Sequence, residues 1–176
     1  MKFERTELPD VVRVVPEPVA DERGFFARLY CPSEFAEAGC AFAPVQMSLS
    51  RNHAAHTLRG LHLQAAPHAE AKIVRVVRGS VYDVVVDLRP ESPAYRRWTA
   101  ATLSADNGEA LLIPEGCAHG FLTLEDSTDV LYQIDRLYTP GHARGVRYDD
   151  PALKVRWPAP PRVIAPADLA WPLLEG

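Results

Sequence analysis

Short apolar segments, interrupted at regular intervals by glycine and proline, dominate the chain from residue 45 onward. The interruptions fall at Gly60, Gly79 and residues 107–108, 114–116 and 140–141. Short strands separated by turn residues are typical of a β-sandwich or a β-barrel. One segment departs from this pattern, because residues 33–38 predict a short helix with Ser33 as its N-cap. The pattern as a whole predicts an all-β fold with a few short helices.

Residues 81–88 show a clear two-residue alternation. Asp83 and Asp87 fall on one side of the predicted strand, and the other side is apolar. The Arg-Gly-Ser sequence centred on Gly79 predicts a hairpin turn, because glycine readily adopts the positive φ that tight turns need. We therefore expect Lys72 and Asp83 to lie on adjacent antiparallel strands.

The C-terminal segment differs in composition from the rest of the chain. Residues 157–161 read WPAPP, which is too rich in proline for a regular internal strand. Apolar residues that follow, among them Trp171, supply enough surface for this segment to dock. We expect a single domain over residues 1–176, with residues 152–176 as a docked C-terminal wrap that contains one helical turn.

Composition restricts the class of protein. A chain of 176 residues that is 47% hydrophobic can bury a core without disulfides or metals. Its net charge of −4 comes from mixed charges, which do not suggest a surface for nucleic acid or membrane. Its three cysteines lack framework spacing, and its N-terminus lacks the apolar core of a signal peptide. We expect a cytoplasmic protein that binds neither nucleic acid nor membrane.

Two turn-rich motifs contain candidate functional histidines. Residues 60–64 read GLHLQ, and residues 108–121 read GEALLIPEGCAHGF. Both resemble the paired signature of a cupin, a jelly-roll β-sandwich that commonly holds a metal. Here Gln64 replaces a ligand histidine, and Lys72 stands near the position of the ligand carboxylate. Because an ammonium group would repel a cation, we expect no metal and no other cofactor; a metal-dependent cupin enzyme remains an alternative.

The side chains that replace the metal ligands suggest proton-transfer chemistry. An unperturbed histidine titrates near pH 6.5, so His62 is suited to act as a general base at neutral pH. Lys72 could stabilise an enolate oxygen electrostatically. A second histidine, His119, follows in the second motif. These are the requirements for removing a proton from a carbon next to a ketone.

A longer series of motifs resembles the dTDP-4-dehydrorhamnose 3,5-epimerase family. The segments are DERGFF (21–26), LRGLH (58–62), KIVR (72–75), VYDVVVDLR (81–89), IPEGCAHGF (113–121), LY (131–132) and YDDP (148–151). The resemblance implies a cupin-type homodimer that acts without a cofactor on a nucleotide-diphosphate sugar, a 4-keto-6-deoxyhexose. It implies inversion at C3, and at C5, as in the conversion of dTDP-4-dehydro-6-deoxyglucose to dTDP-4-dehydrorhamnose in deoxysugar biosynthesis.

The resemblance also implies catalytic roles for four residues. His62 matches the family's base, and Asp168 matches the carboxylate that fixes the tautomer of this histidine and supports its protonated form, as in other His–Asp pairs. Tyr132 matches the acid that returns a proton to the opposite face of the sugar ring. Lys72 matches a residue near the sugar ketone.

Seven further residues stand at substrate-binding positions of the family, and one of them, Ser48, differs from the asparagine of many members. The seven are Arg23, Phe26, Gln46, Ser48, Arg59, His119 and Tyr138. Arginine binds phosphate oxygens in a bidentate manner, which suits Arg23 and Arg59 to a diphosphate. Tyr138 matches an aromatic residue that stacks on the nucleotide base. In the family, the segment carrying Arg23 and Phe26 enters the site of the neighbouring subunit, so we expect the same in a homodimer here.

Four positions depart from the family pattern, all of them associated with substrate or nucleotide contacts. They are Arg28, Ser48, Ala143 and Ala167. The proton-transfer residues are intact, so the type of reaction is better supported than the identity of the sugar or nucleotide. Two alternatives therefore stay open: a C3-only epimerase or keto-isomerase acting on a related nucleotide sugar, and a non-catalytic cupin that binds sugar nucleotides.

Overall fold

The computed structural model of the chain describes residues 1–174, most of whose regular structure is β-strand. The strands are β1 (Lys2–Arg5), β2 (Val12–Val15), β3 (Val19–Asp21), β4 (Gly24–Phe26), β5 (Gln46–Asn52), β6 (Thr57–Gln64), β7 (Lys72–Arg78), β8 (Ser80–Asp87), β9 (Trp98–Ser104), β10 (Ala110–Ile113), β11 (Cys117–Thr123), β12 (Thr128–Ile134), β13 (Ala143–Gly145) and β14 (Val163–Ile164). The helices are α1 (Pro32–Glu37) and α2 (Pro166–Leu169). The expected all-β fold with short helices is confirmed.

Most strands belong to two six-stranded sheets. Sheet I has the order β1-β2-β10-β7-β12-β5, and its β5 edge is not paired within the described chain. Sheet II has the order β13-β6-β11-β8-β9, with β14 added parallel to β6. Strands β3 and β4 form a separate hairpin, residues 19–26, which we call the arm. Two sheets arranged in this way form the jelly-roll sandwich of the cupins.

Three apolar clusters hold the sheets and their coverings together. The central cluster lies between the sheets, where Val74 and Val130 of sheet I meet Val85 and Phe121 of sheet II. A second cluster packs Phe35 of α1 against the outer face of sheet I. A third covers the outer face of sheet II with residues that follow β13. Apolar burial on both faces of each sheet is the main favourable contribution to such a fold.

The strand predicted at residues 81–88 forms, but its expected partner was wrong. Gly79, with φ +73°, lies between β7 in sheet I and β8 in sheet II, so the chain changes sheet there instead of forming a hairpin. Lys72 and Asp83 are therefore on opposite sheets. The other face of the strand is apolar as expected, and Asp83 and Asp87 are themselves fully buried. Asp83 pairs with the buried His119, and Asp87 pairs with Arg89 and Ser92, which offsets the cost of removing the two carboxylates from water.

The predicted helix forms over Pro32–Glu37, and Glu34 lies in its first turn. Its N-cap is Cys31 rather than Ser33, because Pro32 already occupies the first helical position, which suits a residue without an N–H group. Ser33 instead has its hydroxyl oxygen 3.1 Å from the sulfur of Cys31.

The segment after residue 151 lies along sheet II. Val163–Ile164 pairs with β6, and α2 follows immediately. The Trp157 indole N–H donates to the carbonyl oxygen of Tyr148, and the Leu174 N–H donates to Asp150 Oδ2 at 2.6 Å. The pairing of β14 with β6 places the following helix α2 next to β6. Neither helix of residues 1–174 is long and apolar enough to cross a membrane.

Candidate active site

Two histidines lie side by side on the inner face of sheet II. His62 on β6 and His119 on β11 are direct partners in the strand register. The backbones approach closely beside them, because a Cβ on Gly60 would lie 2.5 Å from the His119 carbonyl oxygen. A Cβ on Gly120 would lie 2.5 Å from the Arg59 carbonyl oxygen. Glycine at both positions therefore allows the close pairing of the two histidine-bearing strands.

The surroundings of His62 favour its neutral form. Burial lowers the pKa of His62 from its ordinary value to about 4, and the charges of Lys72 and His119 lower it further. The carboxylate of Asp168 acts in the opposite direction. A neutral imidazole can accept a proton, so His62 is in the form that a general base requires at neutral pH.

Asp168 lies beside β6, close to the segment that carries His62. Helix α2 carries it to a position where its side chain is buried and its Oδ2 accepts a hydrogen bond from the Gly60 N–H at 3.2 Å. Its Oδ1 accepts from the Trp171 indole N–H at 3.3 Å, and the indole packs on Gly145, the register partner of His62 on β13. In residues 1–174 no hydrogen bond joins Asp168 to the His62 ring, so its influence on His62 in this structure is electrostatic.

His119 is held by a carboxylate of the neighbouring strand. Its Nε2 lies 2.9 Å from Asp83 Oδ2, and both side chains are fully buried. His119 Nδ1 and Asp83 Oδ1 have no partner within the described residues. The alternation of residues 81–88 could have indicated Asp83 as a functional residue, since a buried acid in a run of valines needs a partner.

Tyr132 faces these groups from the opposite sheet. It lies on β12 of sheet I, and its ring meets the His119 ring edge to face at a centroid distance of 5.9 Å. Burial raises the pKa of Tyr132 well above its ordinary value, and the carboxylates of Asp83 and Asp168 add to this effect. Arg59 acts in the opposite direction. The phenol therefore keeps its proton at neutral pH and can act as an acid.

Lys72, at the start of β7, brings a positive charge to the same interior. Its side chain is buried and forms an ion pair with Glu70, with 2.8 Å between Nζ and Oε1. Glu70 was missed in the sequence, because the path of the loop between β6 and β7 cannot be derived from residue types. The pair keeps the charge of Lys72 compensated in a site with little solvent.

Strand β5 and the beginning of β6 add further predicted residues to the Tyr132 side. Ser48 is the register partner of Tyr132, and Gln46 follows two residues away on the same face. Arg59 is exposed, and its Nε donates to the Asn52 side chain at 2.8 Å. The structure therefore brings Gln46, Ser48 and Arg59 together with Tyr132.

Three predicted substrate-binding residues are not part of this group. Phe26 on the arm is 78% exposed, and Tyr138, in the loop between β12 and β13, is 63% exposed. Arg23 on the arm is also exposed, and its guanidinium group pairs with Asp21 of the same hairpin. Among the departures from the family pattern, Arg28 forms an ion pair with Glu34 at 2.7 Å, which directs it towards α1.

The donor set of the site is poor in metal ligands. Gln64 and Lys72 occupy strand positions in the first motif where a cupin places ligands, and Lys72 pairs with Glu70. Across residues 1–174, His, Cys, Asp and Glu side chains form no group of three or more that could hold a metal ion. The titratable groups that do converge are His62, His119, Lys72 and Tyr132, which are suited to proton transfer.

Comparison with known proteins identifies relatives of this chain over almost its full length. Residues 5–176 match the family model described as dTDP-4-dehydrorhamnose 3,5-epimerase. The chain is 40% identical over 174 residues to the dTDP-4-dehydrorhamnose 3,5-epimerase of Salmonella typhimurium, covering 97% of this chain and 94% of the relative. It is 39% identical, with a TM-score of 0.96, to the crystal structure of the Bacillus anthracis enzyme of that name with TDP and PPi bound, covering 98% and 99% of the two chains.

A further structure in the comparison contains a sugar nucleotide. The dTDP-6-deoxy-D-glucose-3,5-epimerase of Legionella pneumophila in complex with dTDP-4-keto-L-rhamnose is 34% identical to this chain, with a TM-score of 0.92. The comparison covers 98% of this chain and 92% of that one. With the family model matching nearly the whole sequence and the fold shared throughout, this chain belongs to the dTDP-4-dehydrorhamnose 3,5-epimerase family.

Proposed function

We propose that this protein is a cofactor-independent epimerase that inverts C3 and C5 of a nucleotide-linked 4-keto-6-deoxyhexose. Its reaction converts dTDP-4-dehydro-6-deoxyglucose to dTDP-4-dehydrorhamnose in deoxysugar biosynthesis. One observation carries the proposal: a neutral His62 on sheet II opposes a protonated Tyr132 on sheet I. Inversion next to a ketone needs a base on one face of the sugar ring and an acid on the other.

The first step removes a proton. His62 accepts the proton from the carbon next to the ketone, and the electron pair of that C–H bond moves towards the ketone oxygen to form an enolate. The ammonium group of Lys72 stabilises the negative charge as it develops. His119 Nδ1, which has no partner within residues 1–174, is available to the substrate on the same side.

The second step returns a proton from the opposite side. The electron pair of the enolate takes the proton of the Tyr132 hydroxyl at the same carbon, and the ketone is restored with inverted configuration. The resulting phenolate and the protonated His62 then exchange protons with water to regenerate the enzyme. Asp168 supports the protonated His62, because its carboxylate raises the pKa of that imidazole.

The nucleotide is bound by residues at the margin of the site. Arg59 is exposed there and fixed by Asn52, which suits it to a phosphate oxygen. Tyr138 stacks on the base, and Gln46 and Ser48 contact the sugar. Arg23 and Phe26 on the arm complete the pocket of a second subunit in a homodimer. Their exposure in the single chain supports this arrangement, as does the unpaired β5 edge of sheet I.

Incubation with dTDP-4-keto-6-deoxyglucose in deuterated water tests the proposed function. We expect deuterium at both C3 and C5, because each inversion replaces a carbon-bound proton. Deuterium at C3 alone would instead identify a C3-only enzyme. If tight binding of dTDP is accompanied by no deuterium uptake, the protein is a binding cupin. Metal analysis of the active protein distinguishes the proposed cofactor-independent enzyme from a metal-dependent one, which would contain stoichiometric metal.

We also infer that the enzyme works in the cytoplasm. Cys31, Cys40 and Cys117 are all free, and thiols persist in a reducing compartment. The substrate is a sugar nucleotide, and the interior of the site uses a neutral histidine that suits near-neutral pH.

A further inference from the structure

Gln64 is buried at the end of β6, where a cupin has the second histidine of its metal site. Its side chain connects to the backbone on both sides of Tyr138. Oε1 accepts from the Thr139 N–H at 2.8 Å, and Nε2 donates to the Leu137 carbonyl oxygen at 3.5 Å. Nε2 also donates to the His68 carbonyl oxygen at 3.3 Å. The side chain thus fixes the loop of residues 135–142, which we call the Tyr138 loop.

The same amide continues towards Lys72. Nε2 of Gln64 lies 2.6 Å from Glu70 Oε2, and Oε1 of Glu70 lies 2.8 Å from Lys72 Nζ. The side chains of Glu70 and Lys72 are 9% and 5% exposed. A buried carboxylate and a buried ammonium group depend on each other, because neither is well solvated. A continuous chain of polar contacts therefore joins the Tyr138 loop to Lys72.

We propose that Gln64 and Glu70 are positioning residues that couple the nucleotide side of the pocket to the Lys72 ammonium group. The inference rests on the proposed function, in which Lys72 stabilises the enolate and Tyr138 stacks on the base. Within residues 1–174, Gln64 and Glu70 form no hydrogen bond with His62 or Tyr132. Gln64 holds the Tyr138 loop, and Glu70 holds Lys72 in place and compensates its charge.

The direction of the hydrogen bonds makes the coupling testable. Glu70 accepts a hydrogen bond from the Gln64 amide and another from the Lys72 ammonium group. A glutamine at position 70 has only one accepting oxygen, so its N–H groups would face one of these two donors. An exchange of the two residue types restores complementarity between positions 64 and 70, although the His68 and Leu137 carbonyl oxygens lose the N–H donor of Gln64. In that double variant, a glutamine at position 70 accepts from Lys72 and donates to a carboxylate at position 64, which still accepts from the Thr139 N–H.

The experiment compares wild type, Glu70→Gln, Gln64→Glu and the double variant Gln64→Glu/Glu70→Gln. Glu37→Gln serves as control, because Glu37 is an exposed carboxylate on α1. Turnover is followed as deuterium uptake by the sugar, and the affinity for dTDP is measured by calorimetry. Amide hydrogen exchange of the Tyr138 loop is recorded by mass spectrometry as a readout that does not depend on catalysis.

In Glu70→Gln we expect kcat to fall about tenfold, because a displaced Lys72 stabilises the enolate less, while the dissociation constant of dTDP changes by less than about threefold. Amide exchange of the Tyr138 loop should become faster in both single variants. In the double variant kcat should return to at least about a third of the wild-type value, and exchange of the loop should be slower than in Gln64→Glu. Exchange should stay faster than in wild type, because the Leu137 carbonyl oxygen has lost its amide donor.

The outcomes separate the inference from the proposed function. Wild-type turnover with an unaffected Glu70→Gln variant would overturn the coupling and leave the epimerase proposal intact. Losses in the single variants without recovery in the double variant would also overturn it, since they would reflect general destabilisation. If the wild type takes up no deuterium, the proposed function fails. Loop exchange that is slower in the double variant than in Gln64→Glu would still support the link between the loop and Lys72.

Discussion

The interior of the candidate site and the arm differ in their exposure to solvent. His62, His119 and Lys72 lie on the inner faces of two sheets, mostly out of solvent and surrounded by charged or hydrogen-bonding neighbours. On the arm, by contrast, Val19 is 74% exposed and Phe26 is 78% exposed. Contiguous exposed apolar side chains usually mark an interaction surface. The difference agrees with the proposal that the residues of proton transfer come from one chain and that the arm of a second subunit completes the pocket.

Loss of the base should produce the largest effect on the interior. In His62→Ala we expect kcat to fall by at least about a hundredfold, because the proposed mechanism assigns removal of the proton next to the ketone to His62. Affinity for dTDP should stay nearly unchanged, since the nucleotide is bound elsewhere. The exposed His53 provides the matched control, and His53→Ala should behave as wild type. A His62→Ala variant with more than half of the wild-type activity would contradict its role as base.

Removal of the Tyr132 hydroxyl should affect inversion of the sugar carbon more than removal of its proton by His62. Tyr132→Phe keeps the ring and its contact with His119 but removes the donating hydroxyl. We expect formation of inverted product to fall roughly tenfold more than deuterium exchange at the same carbon, because proton removal by His62 continues. Both rates are obtained from one NMR time course in deuterated water, with Tyr95→Phe as control. Equal losses in the two rates would remove Tyr132 from a face-specific role.

The arm can be tested by mixing inactive chains. If Arg23 serves the neighbouring pocket, a dimer of one Arg23→Ala chain and one His62→Ala chain contains one intact pocket. With random pairing about half of the dimers are mixed, so activity should recover to roughly a quarter of the wild-type value. Mixing His62→Ala with Asp168→Asn is the control, because both residues belong to one chain's interior and no pocket is restored. No recovery despite demonstrated subunit exchange would exclude a shared site.

The smallest effect concerns pH. Because the pKa of His62 is lowered to about 4, the base stays neutral well below the pH at which an ordinary histidine is protonated. We expect kcat/KM at pH 5.5 to remain within about twofold of its value at pH 7.5, whereas an ordinary histidine pKa of about 6.5 would reduce it about tenfold. NMR titration of the His62 ring gives the pKa directly.

The lowered pKa of His62 also predicts how the free energy of unfolding changes with pH. In the unfolded chain His62 takes up a proton near pH 6.5, but in the folded protein it does so only near pH 4. The contribution of His62 to the free energy of unfolding therefore decreases as the pH falls through this interval and is retained above it. His62→Ala should weaken the acid-side loss of stability measured by denaturant unfolding, and an unchanged profile would contradict the burial of a neutral ring.

Strand periodicity predicted much of the fold but not the pairing of strands. Alternation at residues 81–88 identified a strand, since side chains on a strand point to alternate faces. Alternation does not specify the neighbouring strand, however. Gly79 suits both a hairpin and a passage between sheets, and only the packing of β8 beside β11 distinguishes them. The same ambiguity led to the wrong placement of Lys72 and Asp83 on adjacent strands.

The site was predictable where it depends on strand positions. His62, Tyr132 and Lys72 could be identified because motifs on strands keep their spacing, and the structure brings them into one interior. Glu70 could not be found in this way, because its contact with Lys72 depends on the conformation of a loop. The position of Asp168 likewise depends on how the segment after residue 151 docks beside Gly60.

The close contact of β6 with β11 has a consequence for protein engineering. Gly60 and Gly120 leave no space for even a methyl group beside the two histidines, so this wall of the cleft has little tolerance to mutation. Strand β5 is an edge strand, and on the face that it shares with Tyr132, Gln46 is half-buried and Ser48 is exposed. Attempts to redirect the enzyme to other sugars by directed evolution should therefore find their productive substitutions on β5.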